Sequence, residues 1–582
     1  MAKKPDEQLE KMRHSAAHVM ADAVKRLFPG TKLGIGPAIE DGFYYDFDCG
    51  QTFTPEDLPR IEKEMARIAK ENASFEKKTV TKKEAKKLFK SLRETYKLEL
   101  LEGLGEKDEI TIYGHGDFMD LCRGPHVGQA GDIGAFKLLS VAGAYWRGIE
   151  TNPMLQRIYG TTFADKKDLE KFLKLQEEAK KRDHRKLGKE LDLFSFNDLI
   201  GAGLVLYHPK GAMLRQIVVD YITKKHIEKG YQLISSPHIL KSDVWVRSGH
   251  YDYYKEHMYI FKSEGQEFGV KPMNCPGHIL VYASRTRSYR EFPLRYFELG
   301  TVYRHEKSGV LHGLLRVRGF TQDDAHIFCL QEHVEEEVVK VIDFVAEALK
   351  DFGFNDFAVE LSTRPEKFIG EEEDWELATN ALKKALEMKG LEYEINEGEG
   401  AFYGPKIDIK LKDALGREWQ CATIQCDFAL PERFDLSYAD KDGKEKRPIV
   451  LHRVILGSLE RFIGALVEHY GGDFPLWLAP VQAVIIPIAE AHVEYGREVK
   501  NFLIAQGFRV EIDARDEKMQ RKIRDAELGK IPYMIVVGNK EKEKKTLSVR
   551  SRKKGDVGSV GWDDFAGRLE DEVSKKGGGT LV

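Results

Sequence analysis

The chain has 582 residues, more than a single hydrophobic core accommodates, so three or four domains of ordinary size are expected. Its 91 basic and 95 acidic residues leave a formal net charge of −4, which argues against a protein that coats polyanions with its whole surface but not against a local basic face for nucleic acid. No run is long and apolar enough to cross a bilayer, no secretory signal is visible, and six cysteines are too sparse for a disulfide framework; a cytoplasmic location is expected, with the thiols as buried fillers, metal ligands or catalytic groups.

In chain order, residues 8–28 place Leu9, Met12, Ala16, Val19, Ala23 and Leu27 at helical spacing, and Pro29-Gly30 ends that helix. GIGPAIEDGFYYDFD reads as short strands, 54–94 as two charged helices, and 109–163 as strands broken by glycine. An α+β domain over 1–164 is predicted. Residues 165–190 are charge-dense with few large apolar positions, which predicts a solvated linker helix. Over 191–475 strand-like runs predominate, with helices at 210–229 and 457–470; they do not alternate regularly, so an antiparallel sheet is favoured. From 476 to 582 a strand–helix–strand–helix–strand pattern (VQAVIIPI, 491–506, FRVEID, 517–528, PYMIVVG) predicts a small α/β domain, parallel at its centre. Only the final GGGTLV reads as disordered.

Chemistry-bearing residues concentrate in the central block. In Tyr303-Arg304-His305-Glu306 at a strand end, Arg304 and Glu306 are expected on one face, and so are Gln322, Asp324 and His326 in the extended run that follows. A planar guanidinium on a rigid strand suits the α-phosphate of a nucleotide, where charge builds during adenylyl transfer. A second arginine, Arg461, stands where a strand turns into a helix. In the first block His14 and His18 lie four apart on one helix face, and Asp120-Leu-Cys122-Arg-Gly-Pro-His126 supplies a matching Cys-x₃-His; spacing alone fits a zinc site there as well as a metal-free one.

FELGTVYRHE resembles motif 2 of class II aminoacyl-tRNA synthetases, GSLERF resembles motif 3, and KGYQLISSPHI, a helix running into a strand that bears Pro237, resembles the motif 1 dimer interface. KPMNCPGHI, RGFTQDDAHIF and RDHRKLGKELDLF are similar to the threonyl-tRNA synthetase family from about residue 8 onward. The resemblance implies an α+β multidomain chain: an α+β editing domain, a class II antiparallel-sheet catalytic domain and a βαβαβ anticodon-binding domain. It implies a homodimeric threonine–tRNA ligase using ATP with Mg²⁺, L-threonine and tRNA(Thr). Bacterial members commonly carry a small ubiquitin-like domain ahead of the editing domain, and this numbering leaves no room for one.

The resemblance also assigns residues. Cys275, His326 and His452 would bind one Zn²⁺ per subunit, an open three-ligand set suited to function rather than structure; Cys329, at an odd offset from His326, is left out. Arg304, Glu306, Arg316, Gln420, Thr423 and Arg461 would hold ATP, with Arg304, Arg461 and Glu306 catalytic. Met273, Asp324, Tyr403, Lys406 and Gln425 would line the amino-acid or adenylate pocket. A zinc that binds a hydroxyl rejects valine, but serine differs from threonine by one methyl, worth only about 1–3 kcal/mol, so proofreading is expected. HSAAH, YKLELLE and DLCRGPH are similar to the editing domain, which implies that His14, His18, Lys97, Asp120, Cys122 and His126 hydrolyse mischarged seryl-tRNA, with metal there left open. Asp516, Glu541 and Arg550 match positions that read anticodon bases, although Asp516 stands where asparagine is common. Prolyl or glycyl synthetases, or a synthetase-derived tRNA-binding regulator, are the competing readings; the zinc triad, the editing motifs and the presence of Arg304, Glu306 and Arg461 argue against them.

Overall fold

The computed structural model describes residues 7–105 and 108–576; GGGTLV lies outside them. The chain divides into two compact units, 1–177 and 178–582.

In the first unit the opening helix, Glu7–Leu27, is buried along Met12, Ala16, Val19, Met20, Ala23 and Val24. Its many alanines let it lie close to strand Gly42–Asp48, which pairs antiparallel with Met154–Phe163. Burial of each large apolar side chain in the shared core contributes about 1.5–3 kcal/mol. A second, three-stranded sheet (Glu76–Val80, Ile110–His115, Phe118–Leu121) is antiparallel throughout. The expected pair of charged helices over 54–94 is Asp57–Glu71 and Lys82–Ser91, separated by strand Glu76–Val80. A further helix, Thr95–Glu102, carries Lys97.

The expected single linker helix is two helices, Lys166–Arg182 and His184–Glu190. Asp183 breaks them: its carboxylate accepts the Arg185 amide at 2.8 Å and caps the second helix, a competition that short polar side chains win at helix ends.

The second unit is built on an eight-stranded sheet in the order Gln232–Leu233, Leu294–Tyr303, Gly319–Cys329, Ile449–Ser458, Glu418–Asp427, Lys406–Lys412, Phe357–Ser362, Glu394–Asn396. Its six central strands are antiparallel, and only the two edge pairings are parallel. Helix Val334–Asp351 packs on it through Val338, Val341, Ile342 and Val345. Motif 1 departs from expectation: the strand there is only Gln232–Leu233, and Pro237 lies beyond it. The C-terminal sheet orders Val510–Ile512, Ala483–Pro487 and Tyr533–Val537 in parallel, as the βαβαβ pattern requires. It then adds an antiparallel hairpin, Thr546–Ser551 and Gly555–Gly561, whose turn is formed by the basic run Arg552-Lys553-Lys554.

Candidate active site and a second histidine–cysteine cluster

A cavity of about 350 Å³ opens on the eight-stranded sheet, lined by Met273, Cys275, Arg304, Gln322, Asp324, His326, Tyr403, Lys406, Gln420, Thr423, Gln425 and His452 among others. Cross-strand register explains why residues so distant in sequence meet. His326 stands directly opposite His452, and His452 opposite Gln425 on its other side, so three neighbouring strands present one row of side chains. Helix Cys275–Ala283 brings the thiol to the same row. Ligand atoms of Cys275, His326 and His452 lie within 4.8 Å of one another, and all three residues are buried. Cys329 belongs instead to the main apolar core.

This donor set fits a zinc ion. Sulfur and two imidazole nitrogens are its preferred ligands, and three protein ligands leave a position open. The supporting contacts leave one ring nitrogen of each histidine unengaged. His452 Nε2 is 2.7 Å from the Asp427 carboxylate, so Nδ1 is its remaining donor. His326 Nδ1 is 3.0 Å from His278 Nδ1, and His278 Nε2 is 3.3 Å from Glu298. Burial alone would raise the Glu298 carboxyl, but hydrogen bonds from His278, Lys271 and Ser236 and the Lys271 charge hold it at about 2. A carboxylate fixes the tautomers in sequence: His278 donates from Nε2, accepts at Nδ1, and leaves His326 Nε2 as a lone pair aimed away from the relay. Burial, with His278 and His452 alongside, keeps His326 neutral. Asn274 donates to Asp324 at 3.0 Å and so sets that carboxylate's orientation in the cavity.

Asp408, which sequence reading missed, organises the other wall. It accepts from Thr423 Oγ1 at 2.7 Å and Gln420 Nε2 at 2.9 Å, and meets Lys406 Nζ at 2.7 Å. Alternation along KIDIKLK places Lys406 and Asp408 on one face, a signal that was available. Tyr403 donates to Gln425. The loop that carries Tyr403 closes onto the strand because residue 404 is glycine: a Cβ there would stand 1.8 Å from the Cys426 carbonyl oxygen.

Arg304, Arg316 and Arg461 converge beside this cavity. Arg304 lies over the Phe320 ring at 5.1 Å and donates to the Pro272 carbonyl at 3.2 Å; Arg316 pairs with Glu306 at 2.9 Å. Burial and then the charges of Arg304 and Arg316 lower the Arg461 guanidinium, the signature of cations crowded without enough anions. The strand alternation used to place Arg304 and Glu306 on one face stops short of them, because the strand ends at Tyr303; Glu306 pairs with Arg316.

The first unit holds the second cluster. Cys122 Sγ is 3.2 Å from both His14 Nε2 and His126 Nε2, and His18 completes a group whose ligand atoms lie within 4.8 Å. Lys97 Nζ pairs with Asp120 at 2.5 Å, and Tyr45, another residue missed from sequence, receives Lys97 at 2.9 Å while donating to Asp120. Gly36 accommodates the Tyr45 ring, since a Cβ there would stand 2.0 Å from it. Burial pushes the Cys122 thiol up to about 12 and lowers His14, His18 and His126. The group is therefore a neutral thiol among neutral imidazoles, able to hold a water molecule by hydrogen bonds, and the thiol is not disposed to attack as thiolate.

Of the residues matched to anticodon reading, Asp516 is exposed on the loop before helix Met519–Leu528. Glu541 caps its own helix through the Gly538 amide at 2.9 Å, and Arg550 reaches Glu527 at 3.5 Å. Among the described residues no hydrogen bond or ion pair joins these three.

Comparison with known proteins bears on all of these regions. Residues 259–470 match the tRNA synthetase class II core domain (G, H, P, S and T), 482–572 an anticodon binding domain, and 110–159 the threonyl and alanyl tRNA synthetase second additional domain. A threonine–tRNA ligase of Citrifermentans bemidjiense is 59% identical over 573 residues, covering 98% of this chain and 90% of that protein. The chain belongs to the threonine–tRNA ligase family. Another member, from Geobacter sp. strain M21, is 58% identical over the same length. Among solved structures, the RNA binding domain of threonyl-tRNA synthetase from Cryptosporidium parvum Iowa II is similar at TM-score 0.65 and 42% identity, covering 67% of this chain and 98% of that one. A putative threonyl-tRNA synthetase from Aeropyrum pernix is similar at TM-score 0.58 and 32% identity, covering 69% and 97%. Among the described residues no helix is long and apolar enough to cross a membrane.

Proposed function

We propose that this chain activates L-threonine with ATP, transfers it to tRNA(Thr) in a catalytic domain over 191–475, and hydrolyses seryl-tRNA(Thr) in an editing domain over 1–164, with 165–190 as linker and 476–582 reading the anticodon. The observation that carries most weight is the convergence of three guanidinium groups on the rim of a cavity whose floor bears the Cys275–His326–His452 donor set. The arginines suit a triphosphate: Arg304 and Arg461 offset charge as the threonine carboxylate attacks the α-phosphate in line and pyrophosphate leaves, with Mg²⁺ accompanying ATP. Glu306 orients Arg316, and Asp408 orients Gln420 and Thr423. Zn²⁺ held by Cys275, His326 and His452 would accept the amino and hydroxyl groups of threonine and thereby tell it from valine. Asp324, steadied by Asn274, takes the hydroxyl proton's hydrogen bond; Met273, Tyr403, Lys406 and Gln425 shape the remainder. No side chain serves as nucleophile.

In the editing domain the neutral His14, His18 and His126 position the attacking water by hydrogen bonds, while Lys97, Tyr45 and Asp120 hold the ester end of the mischarged tRNA. Exposed Leu233 (59%) and Ile239 (52%) beside the open edge of Gln232–Leu233 support a homodimer through motif 1. A cytoplasmic setting suits reduced thiols. Threonine-dependent pyrophosphate exchange tests the central reading: Arg304→Ala should lower it at least about 10²-fold, and valine should be activated about 10⁴-fold less well than threonine. Near-normal exchange in the variant, or equal use of valine, refutes it.

A further inference from the structure

His184 is fully buried, sits outside the cavity, and has no part in the chemistry above. It begins helix His184–Glu190 yet reaches two other elements of its unit. The Leu314 amide donates to His184 Nε2 at 3.0 Å, and His184 Nδ1 is 2.6 Å from Glu468 Oε1. A backbone N–H can only donate, so Nε2 carries no proton; the proton is on Nδ1, donated to Glu468. Glu468 lies in helix Leu459–Tyr470, receives the His184 amide at 3.0 Å and Arg417 Nη2 at 2.5 Å, and is held as a carboxylate by these bonds against the opposing effect of burial.

Leu314 is the tip of the 304–318 loop that carries Glu306 and Arg316. The neighbouring carbonyl, Leu315, accepts from Arg461 Nε at 3.2 Å. Both peptide groups at this tip are therefore held by side chains, one from the linker segment and one from the motif 3 helix. Two glycines make room for the arrangement. Gly313 has φ +48°, and a Cβ there would stand 2.1 Å from His184 Nε2; a Cβ at Gly464 would stand 3.2 Å from Leu314 Cβ. Leucine at 184 would fill the space but leave a buried amide and a buried carboxylate each short of a partner.

We infer that His184 and Glu468 form a positioning pair that holds the 304–318 loop by its Leu314 amide, and so sets where Arg316 and Glu306 meet ATP. This rests on the ATP reading above. It predicts a particular pattern in pyrophosphate exchange. His184→Leu raises KM for ATP about tenfold, the loss of roughly one buried hydrogen bond, with KM for threonine within about twofold of wild type. His184→Gln, whose amide offers one donor and one acceptor at similar separation, restores KM for ATP to within about threefold. A merely structural histidine would lower the melting temperature and kcat without this split or this rescue. If His184→Leu does not fold, Gly313→Ala displaces the same imidazole from the loop side and is expected to raise KM for ATP likewise. Unchanged KM for ATP in the folded variants, or equal impairment of the Leu and Gln variants, overturns the inference while wild-type exchange stands. A wild type with no ATP-saturable exchange overturns the reading beneath it, and this inference with it.

Discussion

Replacing His278 by leucine isolates the tautomer relay behind the proposed metal centre. The imidazole is fully buried and meets His326 Nδ1 at 3.0 Å. Leucine preserves most of the volume in helix Cys275–Ala283 but leaves that Nδ1–H without an acceptor. An unpaired buried donor costs about 1–3 kcal/mol, which corresponds to about 5- to 150-fold in an equilibrium constant. Loss of outer hydrogen bonds to metal-bound histidines elsewhere costs about 10–100-fold in affinity, the same range. The measurement is zinc competition against a chromogenic chelator on the full chain, with circular dichroism melting to confirm the fold. Leu299→Ile serves as the control: its side chain packs against the main apolar core, and its zinc affinity should match wild type. Zinc affinity of His278→Leu within twofold of wild type, in a protein that melts normally, would refute the relay and the choice of His326 Nε2 as donor.

The remaining expectations concern the editing cluster and acid stability. Cys122→Ala or His14→Ala should leave threonylation intact but let seryl-tRNA(Thr) persist in a deacylation assay; normal hydrolysis by both would remove those residues from the mechanism. Glu298 has a folded pKa of about 2 against an ordinary 4.5. A lowered carboxyl contributes stability that is complete above 4.5 and is lost as pH falls through 4.5 towards 2, here about 3 kcal/mol. Glu298→Gln should therefore narrow the gap between melting temperatures at pH 7 and pH 3, and an unchanged gap would show that the ion pair with Lys271 carries no such linkage.

Local patterns were legible in the sequence wherever one element carries the chemistry. His14 and His18 share a helix face, Gln322, Asp324 and His326 share a strand face, and Arg461 follows a strand-to-helix turn; periodicity reads all three. What periodicity cannot supply is pairing between strands. His326 and His452 are cross-strand neighbours, but no spacing announces it, and the family resemblance alone brought Cys275 to them. Asp427 escapes for the same reason, and His278 because a helix rather than a neighbouring strand brings it beside His326; only Asp408, in alternation with Lys406, was open to a periodic reading. Capping decided the break at Asp183, where charge density had suggested one continuous helix. The antiparallel hairpin after Tyr533–Val537 carries no strong sequence signal, because its turn is basic rather than glycine-rich at the centre.

Gly404 gives the proposed amino-acid pocket a dimension set by an atom that is missing. With hydrogen in place of a methyl, the segment bearing Tyr403 can rest directly on the Cys426 carbonyl, and the phenol reaches Gln425. Any other residue at 404 would prise that wall outward and loosen the phenol's grip. If the cavity takes the amino acid as proposed, discrimination against larger side chains would rest on a backbone-to-backbone contact remote from any polar contact with the substrate.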